Sequence, residues 1–174
     1  MNANPISTHH TASVSRQYLT FQLGLQCYAA DILFVQEIRQ FDSVTPVPGA
    51  PAFIPGIATL RGDIVPVIDL GLRFGHGRRD AGTATVLIII TIAECVMGLM
   101  VDSVSDVIQL SAEDVKPVPT LGGAIQVDCL QGVANPSDQV ILLIDVAVMF
   151  RELQRQYADL LPTATEREVA SVAA

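Results

Sequence analysis

The stretch GIATLRGDIVPVIDL, Gly56 to Leu70, returns as GVANPSDQVILLIDV, Gly132 to Val146, 76 residues further on at both ends. Each copy opens on glycine, passes a polar bend and runs into an apolar strand that closes on Ile-Asp-aliphatic. Only the first copy carries Arg61 and Gly62 at its bend; the second has Pro136, Ser137 and Asp138. In the first, Val65 and Val67 fall on one strand face and Ile64 and Ile68 on the other; Val140 to Ile144 is apolar on both faces too. A strand of that kind needs cover on both sides.

Outward from this pair the duplication continues. Val104-Ser-Asp-Val107 falls on Val35-Gln-Glu-Ile38 at an offset of 69, and Pro117 and Pro119 fall on Pro46 and Pro48 at an offset of 71. The offset grows only where loops absorb insertions. Three collinear matches in a chain rich in Val and Ile imply a duplicated all-β unit of about five strands per copy. Such units, about 65 residues each, are marginal alone, so the two are expected to pack over a joint apolar seam.

The remaining elements fit that frame. Leu19, Phe21 and Leu23 alternate with Tyr18, Thr20 and Gln22, the period of a strand, and Gly24-Leu25 turns it back. Asp31 is placed to cap a helical turn through Phe34. The proline-rich loop from Thr45 to Gly56 excludes a helix or an interior strand. GHGRRDAGT, Gly75 to Thr83, reads as a solvated linker and a subdomain boundary. Val146, Met149, Leu153, Tyr157 and Leu160 form a helical stripe suited to capping the seam. The sequence therefore predicts a disordered arm over 1–16, a domain over 17–157 and a loose tail over 158–174. The domain divides into a first subdomain at about 17–75, a second at about 84–145 and a C-terminal helix at about 145–157.

The chain has 174 residues and a formal charge of −8, without a basic cluster, which argues against nucleic acid and against an anionic membrane surface. The run from Ala84 to Val101 is apolar enough to suggest a membrane span, yet Ala93-Glu94 sits where a hairpin turn belongs and Asp102 follows. Two buried strands are the reading preferred, with no direct membrane insertion. Cys27, Cys95 and Cys129 are far apart and odd in number, as expected of buried thiols in a reducing compartment.

Catalytic chemistry finds no support. His9, His10 and His76 lack further ligands at metal spacing, no serine has a partner histidine, and Asp63 and Asp69 stand about 20 Å apart on an ideal strand. No catalytic residue, cofactor or metal is expected. Arg61-Gly62-Asp63 is a tempting adhesion tripeptide, but nothing marks the chain for secretion. The arginine itself, at a bend in an acidic chain, should seek a carboxylate, and Glu37 between apolar neighbours is the most interesting candidate, although spacing alone favours an exposed Arg61 and an exposed Glu37, each solvated.

Val35-Gln-Glu-Ile38, Pro51-Ala-Phe53, Leu60-Arg-Gly62, Ile64 to Leu70 and Val101-Asp-Ser-Val-Ser-Asp-Val107 together resemble the CheW family of chemotaxis coupling proteins, over about Tyr18 to Leu153. The resemblance implies two small SH3-like β-barrels related by a pseudo-twofold. It implies a non-catalytic scaffold in the cytoplasm, at receptor arrays on the inner face of the membrane. Its partners would be the cytoplasmic hairpin tip of methyl-accepting chemoreceptors and the regulatory domain of the histidine kinase CheA. A receptor groove between the barrels is implied around Val35, Glu37, Ile38, Val44, Arg61, Leu87, Gly98 and Val107, with Gly56 and Gly62 serving turn geometry. The alternatives are the same scaffold in another chemosensory pathway, such as pilus motility or gene regulation, and a small-ligand-binding β-barrel.

Overall fold

The computed structural model describes residues 14–77, 84–119 and 128–161. The expected arm up to residue 13, the tail beyond 161 and most of the linker (78–83) lie outside the described residues.

The first copy contributes β1 (Ser15–Leu23), β2 (Gln26–Asp31), β3 (Val35–Gln40), β4 (Gly56–Leu60), β5 (Asp63–Asp69) and a short helix α1 (Leu70–Arg73). The second contributes β6 (Val86–Ile92), β7 (Cys95–Val101), β8 (Ser103–Ser111), β9 (Leu130–Ala134), β10 (Ile141–Ile144) and α2 (Val146–Gln156). Five strands recur in one order, β1 matching β6 and so on to β5 matching β10.

The two five-stranded sheets run β8-β1-β2-β10-β9 and β3-β6-β7-β5-β4. Substituting each strand by its counterpart turns one order into the other, which is the pseudo-twofold. The copies, however, exchange strands. Barrel A holds β1 and β2 of the first copy with β8, β9 and β10 of the second, and barrel B holds β6 and β7 with β3, β4 and β5. The expected division at 17–75 and 84–145 therefore does not coincide with the barrels. The segment between β5 and β6 joins two strands of barrel B, and the chain passes between barrels only from β2 to β3 and from β7 to β8. The first passage is the 3-10 turn Ile32–Phe34, capped by Asp31, whose carboxylate accepts from Leu33 N at 2.9 Å.

Pairing explains the two-sided strands. Leu19, Phe21 and Leu23 of β1, Ile88, Ile90 and Ile92 of β6, Ile68 of β5 and Ile144 of β10 enter one shared core between the sheets. Their alternate neighbours fill the barrels: Tyr18, Ile141 and Leu143 in barrel A, Val65, Val67, Leu87 and Ile89 in barrel B. β1 is covered on both faces. Tyr18 packs into barrel A, and Thr20 is buried beside the β8 strand at Asp106. Ile64 departs the other way and is 68% exposed, because β5 meets β7 only from Val67 onward. Val140, its counterpart, is exposed too.

The Ile-Asp-aliphatic close has one local cause in both copies. Asp69 and Asp145 end their strands by donating N–H to the carbonyls of Phe53 and Cys129, at 2.8 and 2.7 Å. Their carboxylates then cap the following helices, accepting from Leu72 N at 3.0 Å and Val148 N at 2.9 Å. α2 lays Val146, Met149, Phe150 and Leu153 into the shared core. Truncating one such residue, as in Leu153→Ala, is worth about 2–5 kcal/mol. Leu161, inside the expected tail, is buried against the same core, and β1 begins at Ser15, inside the expected arm. The apolar run from Ala84 to Val101 is the hairpin β6–β7, turning at Ala93-Glu94, and no helix among the described residues is long and apolar enough to cross a membrane.

Candidate functional site

The arginine found in one copy only sits at the tip of a tight hairpin. β4 and β5 pair from Leu60 opposite Asp63, leaving Arg61 and Gly62 as a two-residue loop with φ of 51° and 90°. Both lie in the left-handed region that this tight hairpin demands. Glycine accepts it freely; for arginine it costs about 1 kcal/mol. From there the Arg61 Nη2 donates to Glu37 Oε2 at 2.8 Å.

Glu37 reaches that position through a β-bulge. β3 pairs Val35 with Ile90 and then Glu37 with Ile89, so Gln36 is an extra residue without a facing partner. Bulges turn a strand and re-aim its side chains. The carboxylate is mostly covered, with 22% of the Glu37 side chain exposed against 69% for Arg61. Its second oxygen, Oε1, is buried and accepts no hydrogen bond from a described residue. A largely exposed arginine makes this pair a weak contributor to stability. Its effect is to hold a guanidinium at the edge of barrel B.

Barrel A has the same bulge without the pair. β8 pairs with β1 at Val104 opposite Phe21 and Val107 opposite Leu19, with Thr20 between. There the Thr20 hydroxyl donates to the Asp106 carbonyl at 2.9 Å and accepts from the Asp106 N–H at 3.0 Å. Asp106 stands where Glu37 does, but the Arg61 place is held by Ser137, too short to reach across.

The other expected groove residues separate into two groups. Ile38 and Val107, 46% and 50% exposed, are counterparts on the outer strands β3 and β8 of the two sheets. Val35 packs partly on the shared core. Val44 and Leu87 instead belong to barrel B, where with Phe41, Leu60, Val65 and Ile89 they line a cavity of about 300 Å³ that Arg39 and Asp42 also border. Gly98 is there for packing, since a β-carbon would stand 2.8 Å from Leu87 Cδ1. The structure thus joins Glu37 to Arg61, and Leu87 to both Val44 and Gly98, while Val107 lies on the other sheet.

Sequence reasoning missed the side-chain hydrogen bonds at the two bulges, those of Thr20 with Asp106 in barrel A and of Thr91 with Gln36 in barrel B, whose Oγ1 and Oε1 are 2.9 Å apart. The offset of 69 carries the signal: it sets Thr20 against Ile89, which has no hydroxyl. His76 proves to be a packing residue. Its Nε2 lies 2.8 Å from the hydroxyl of Tyr28, a ring stacked between Phe21 and Phe74. The three cysteines are free and buried, and burial, helped by the Glu152 carboxylate, pushes the Cys129 thiol up to about 11.

The profile of the family described as CheW-like domain matches residues 17–154, nearly all of the described chain. The chain belongs to the CheW family. Among curated CheW-family proteins, the chemotaxis protein CheW of Klebsiella aerogenes is 38% identical over 134 residues, covering 77% of this chain and 81% of the relative. That of Treponema pallidum is 34% identical over 146 residues, covering 80% and 85%. Protein FrzA of Myxococcus xanthus is 30% identical over 162 residues, covering 91% and 93%. Among solved structures, the scaffolding protein TtCheW of Thermoanaerobacter tengcongensis superposes with a TM-score of 0.71 at 35% identity, covering 79% of this chain and 93% of that one. The pair of SH3-like barrels is thus the CheW fold, in a family of non-catalytic adaptors.

Proposed function

We propose that this chain is a non-catalytic scaffold that couples transmembrane chemoreceptors to the histidine kinase CheA, in the cytoplasm at receptor arrays. The observation that carries the reading is the CheW-like match across both barrels. The Arg61–Glu37 pair supports its receptor half, because a non-glycine residue in the left-handed region of a tight hairpin, its guanidinium aimed by a mostly covered carboxylate, fits a binding shape better than a stability device.

The receptor helix lays its apolar stripe along Val35 and Ile38 of β3 and Val107 of β8, with Arg61 gripping a polar group at the rim. Val44, Leu87 and Gly98 act from beneath, by setting the shape of barrel B. Each contact is weak alone and is multiplied by repetition in an array. The kinase signal passes as a change in how this rigid double barrel sits between its two partners.

Reconstitution tests this. The full chain, mixed with a soluble chemoreceptor hairpin-tip fragment and CheA, is expected to co-purify with both and to raise autophosphorylation above that of CheA with receptor alone. Arg61→Ala should weaken the receptor contact, and Ser137→Ala, at the counterpart bend, should leave it unchanged. Absence of binding to either protein overturns the reading.

A further inference from the structure

We propose that Thr91 and Gln36 are positioning residues for the receptor contact, their hydrogen bond holding the β3 bulge that turns Glu37 toward Arg61. This rests on the reading of Arg61 and Glu37 as part of that contact, and it adds two residues outside the expected groove.

A bulge leaves one residue without a ladder partner, so something else must fix which residue that is. In barrel A the fixing is done from inside the sheet, where the buried Thr20 hydroxyl bonds both the N–H and the carbonyl of Asp106. In barrel B the equivalent position is Ile89, a core residue that offers no hydrogen bond. The task passes to Thr91, two residues along β6, whose hydroxyl donates to Oε1 of Gln36, the extra residue itself. The stakes are set by strand geometry: a slip of one residue sends every side chain to the opposite face. Were the extra position to move from Gln36 to Glu37, the carboxylate would leave Arg61. The repeat that carries the arginine is therefore the one that needs an external pin.

Thr91→Val removes the donor while keeping the shape and strand preference of the residue, so the full chain should fold with unchanged urea stability. The expected result is a Kd for the receptor hairpin-tip fragment about two- to tenfold higher, the range a single exposed hydrogen bond supports. The Arg61 guanidinium resonances of the 15N-labelled chain should also move toward those of free arginine. Thr91→Ser should restore both, and Gln36→Met should reproduce the loss. Unchanged Arg61 resonances in Thr91→Val, or failure of Thr91→Ser to restore them, would overturn the proposal. Arg61→Ala separates the two claims: tight binding by that variant defeats the receptor reading, while the resonances still report on the pin.

Discussion

A β-carbon on Gly56 would overlap the carbonyl oxygen of Thr45, because a two-bond bridge between Thr45 and Ile57 draws the two backbones together. The bridge is reciprocal, Thr45 N to Ile57 O at 2.8 Å and Ile57 N to Thr45 O at 2.9 Å. Its counterpart joins Lys116 and Val133, where a β-carbon on Gly132 would meet Val115 Cγ1 at 2.6 Å and the Lys116 carbonyl at 2.8 Å. The duplicated glycine that opens each copy is thus a close-approach residue. Gly62 differs: open space surrounds it, and only its φ of 90° asks for glycine.

These two reasons predict different costs. Gly56→Ala should lose about 3 kcal/mol or more, since overpacking adds to the two bridge hydrogen bonds. Gly62→Ala should lose about 1 kcal/mol, and Gly62→Asn less, because asparagine tolerates the left-handed region. Urea unfolding of the three variants measures the difference. Equal losses for the two alanine variants would refute the distinction.

Strand exchange between the copies carries a prediction of its own. Since β1 and β2 complete their sheet with β8 and β10, neither half has a whole barrel. Residues 1–77 and 84–174, produced as separate chains, should each be unfolded alone and should assemble into a one-to-one complex with the circular dichroism spectrum of the intact protein. A folded single half, seen as a dispersed NMR spectrum, would contradict the exchange.

The duplication was legible because each copy repeats its punctuation: the Gly56 and Gly132 openings, the paired prolines, the Asp69 and Asp145 strand ends. The exchange was not. A repeat tells which strands are equivalent, yet β3 meets a strand of the β1 type whether it pairs with β1 or with β6. The passage at Asp31 to Phe34 leads β3 out of its own copy's sheet to lie beside β6, and a passage of that kind looks in sequence like any other turn. At the site, Glu37 and Arg61 announced themselves as unlike charges among apolar neighbours. The bulge that unites them did not, because an extra residue in a strand leaves no mark of its own, and the role of Gly98 depends on where Leu87 lies in the partner strand.

Alkali should loosen the protein before acid chemistry of any kind is involved. Burial raises the Cys129 thiol to about 11 from an ordinary value near 9, and burial also raises Cys27, Tyr18 and Tyr28. A raised folded-state value means that the native chain keeps protons the unfolded chain gives up. The corresponding stability is whole below pH 9 and is lost as pH climbs from 9 through about 11. Urea midpoints at pH 7, 9 and 10 should fall over the last interval, less steeply in Cys129→Ala after correction for its lower starting stability. In the native state at pH 7 a thiol-specific chromogenic reagent should titrate none of the three cysteines within minutes, and all three after unfolding. Rapid labelling of Cys129 in folded protein would show the burial to be wrong.

Arg61 should separate stability from binding. Its left-handed backbone disfavours a side chain by about 1 kcal/mol, and its exposed pairing with Glu37 returns less than that. Arg61→Gly is therefore expected to unfold at the same urea concentration as the unaltered chain or slightly higher, the reverse of what loss of an ion pair suggests. Calorimetric titration with the receptor hairpin-tip fragment should show the opposite trend, a Kd raised about tenfold or more, as loss of a charged hydrogen bond of about 1.5–3 kcal/mol implies. Raising salt should narrow that gap, because a guanidinium this exposed acts through a screened field. A variant that gains stability while losing its partner marks a residue kept for contact. If Arg61→Gly instead unfolds early and binds as well as before, the arginine belongs to the fold and the proposed receptor contact lies elsewhere.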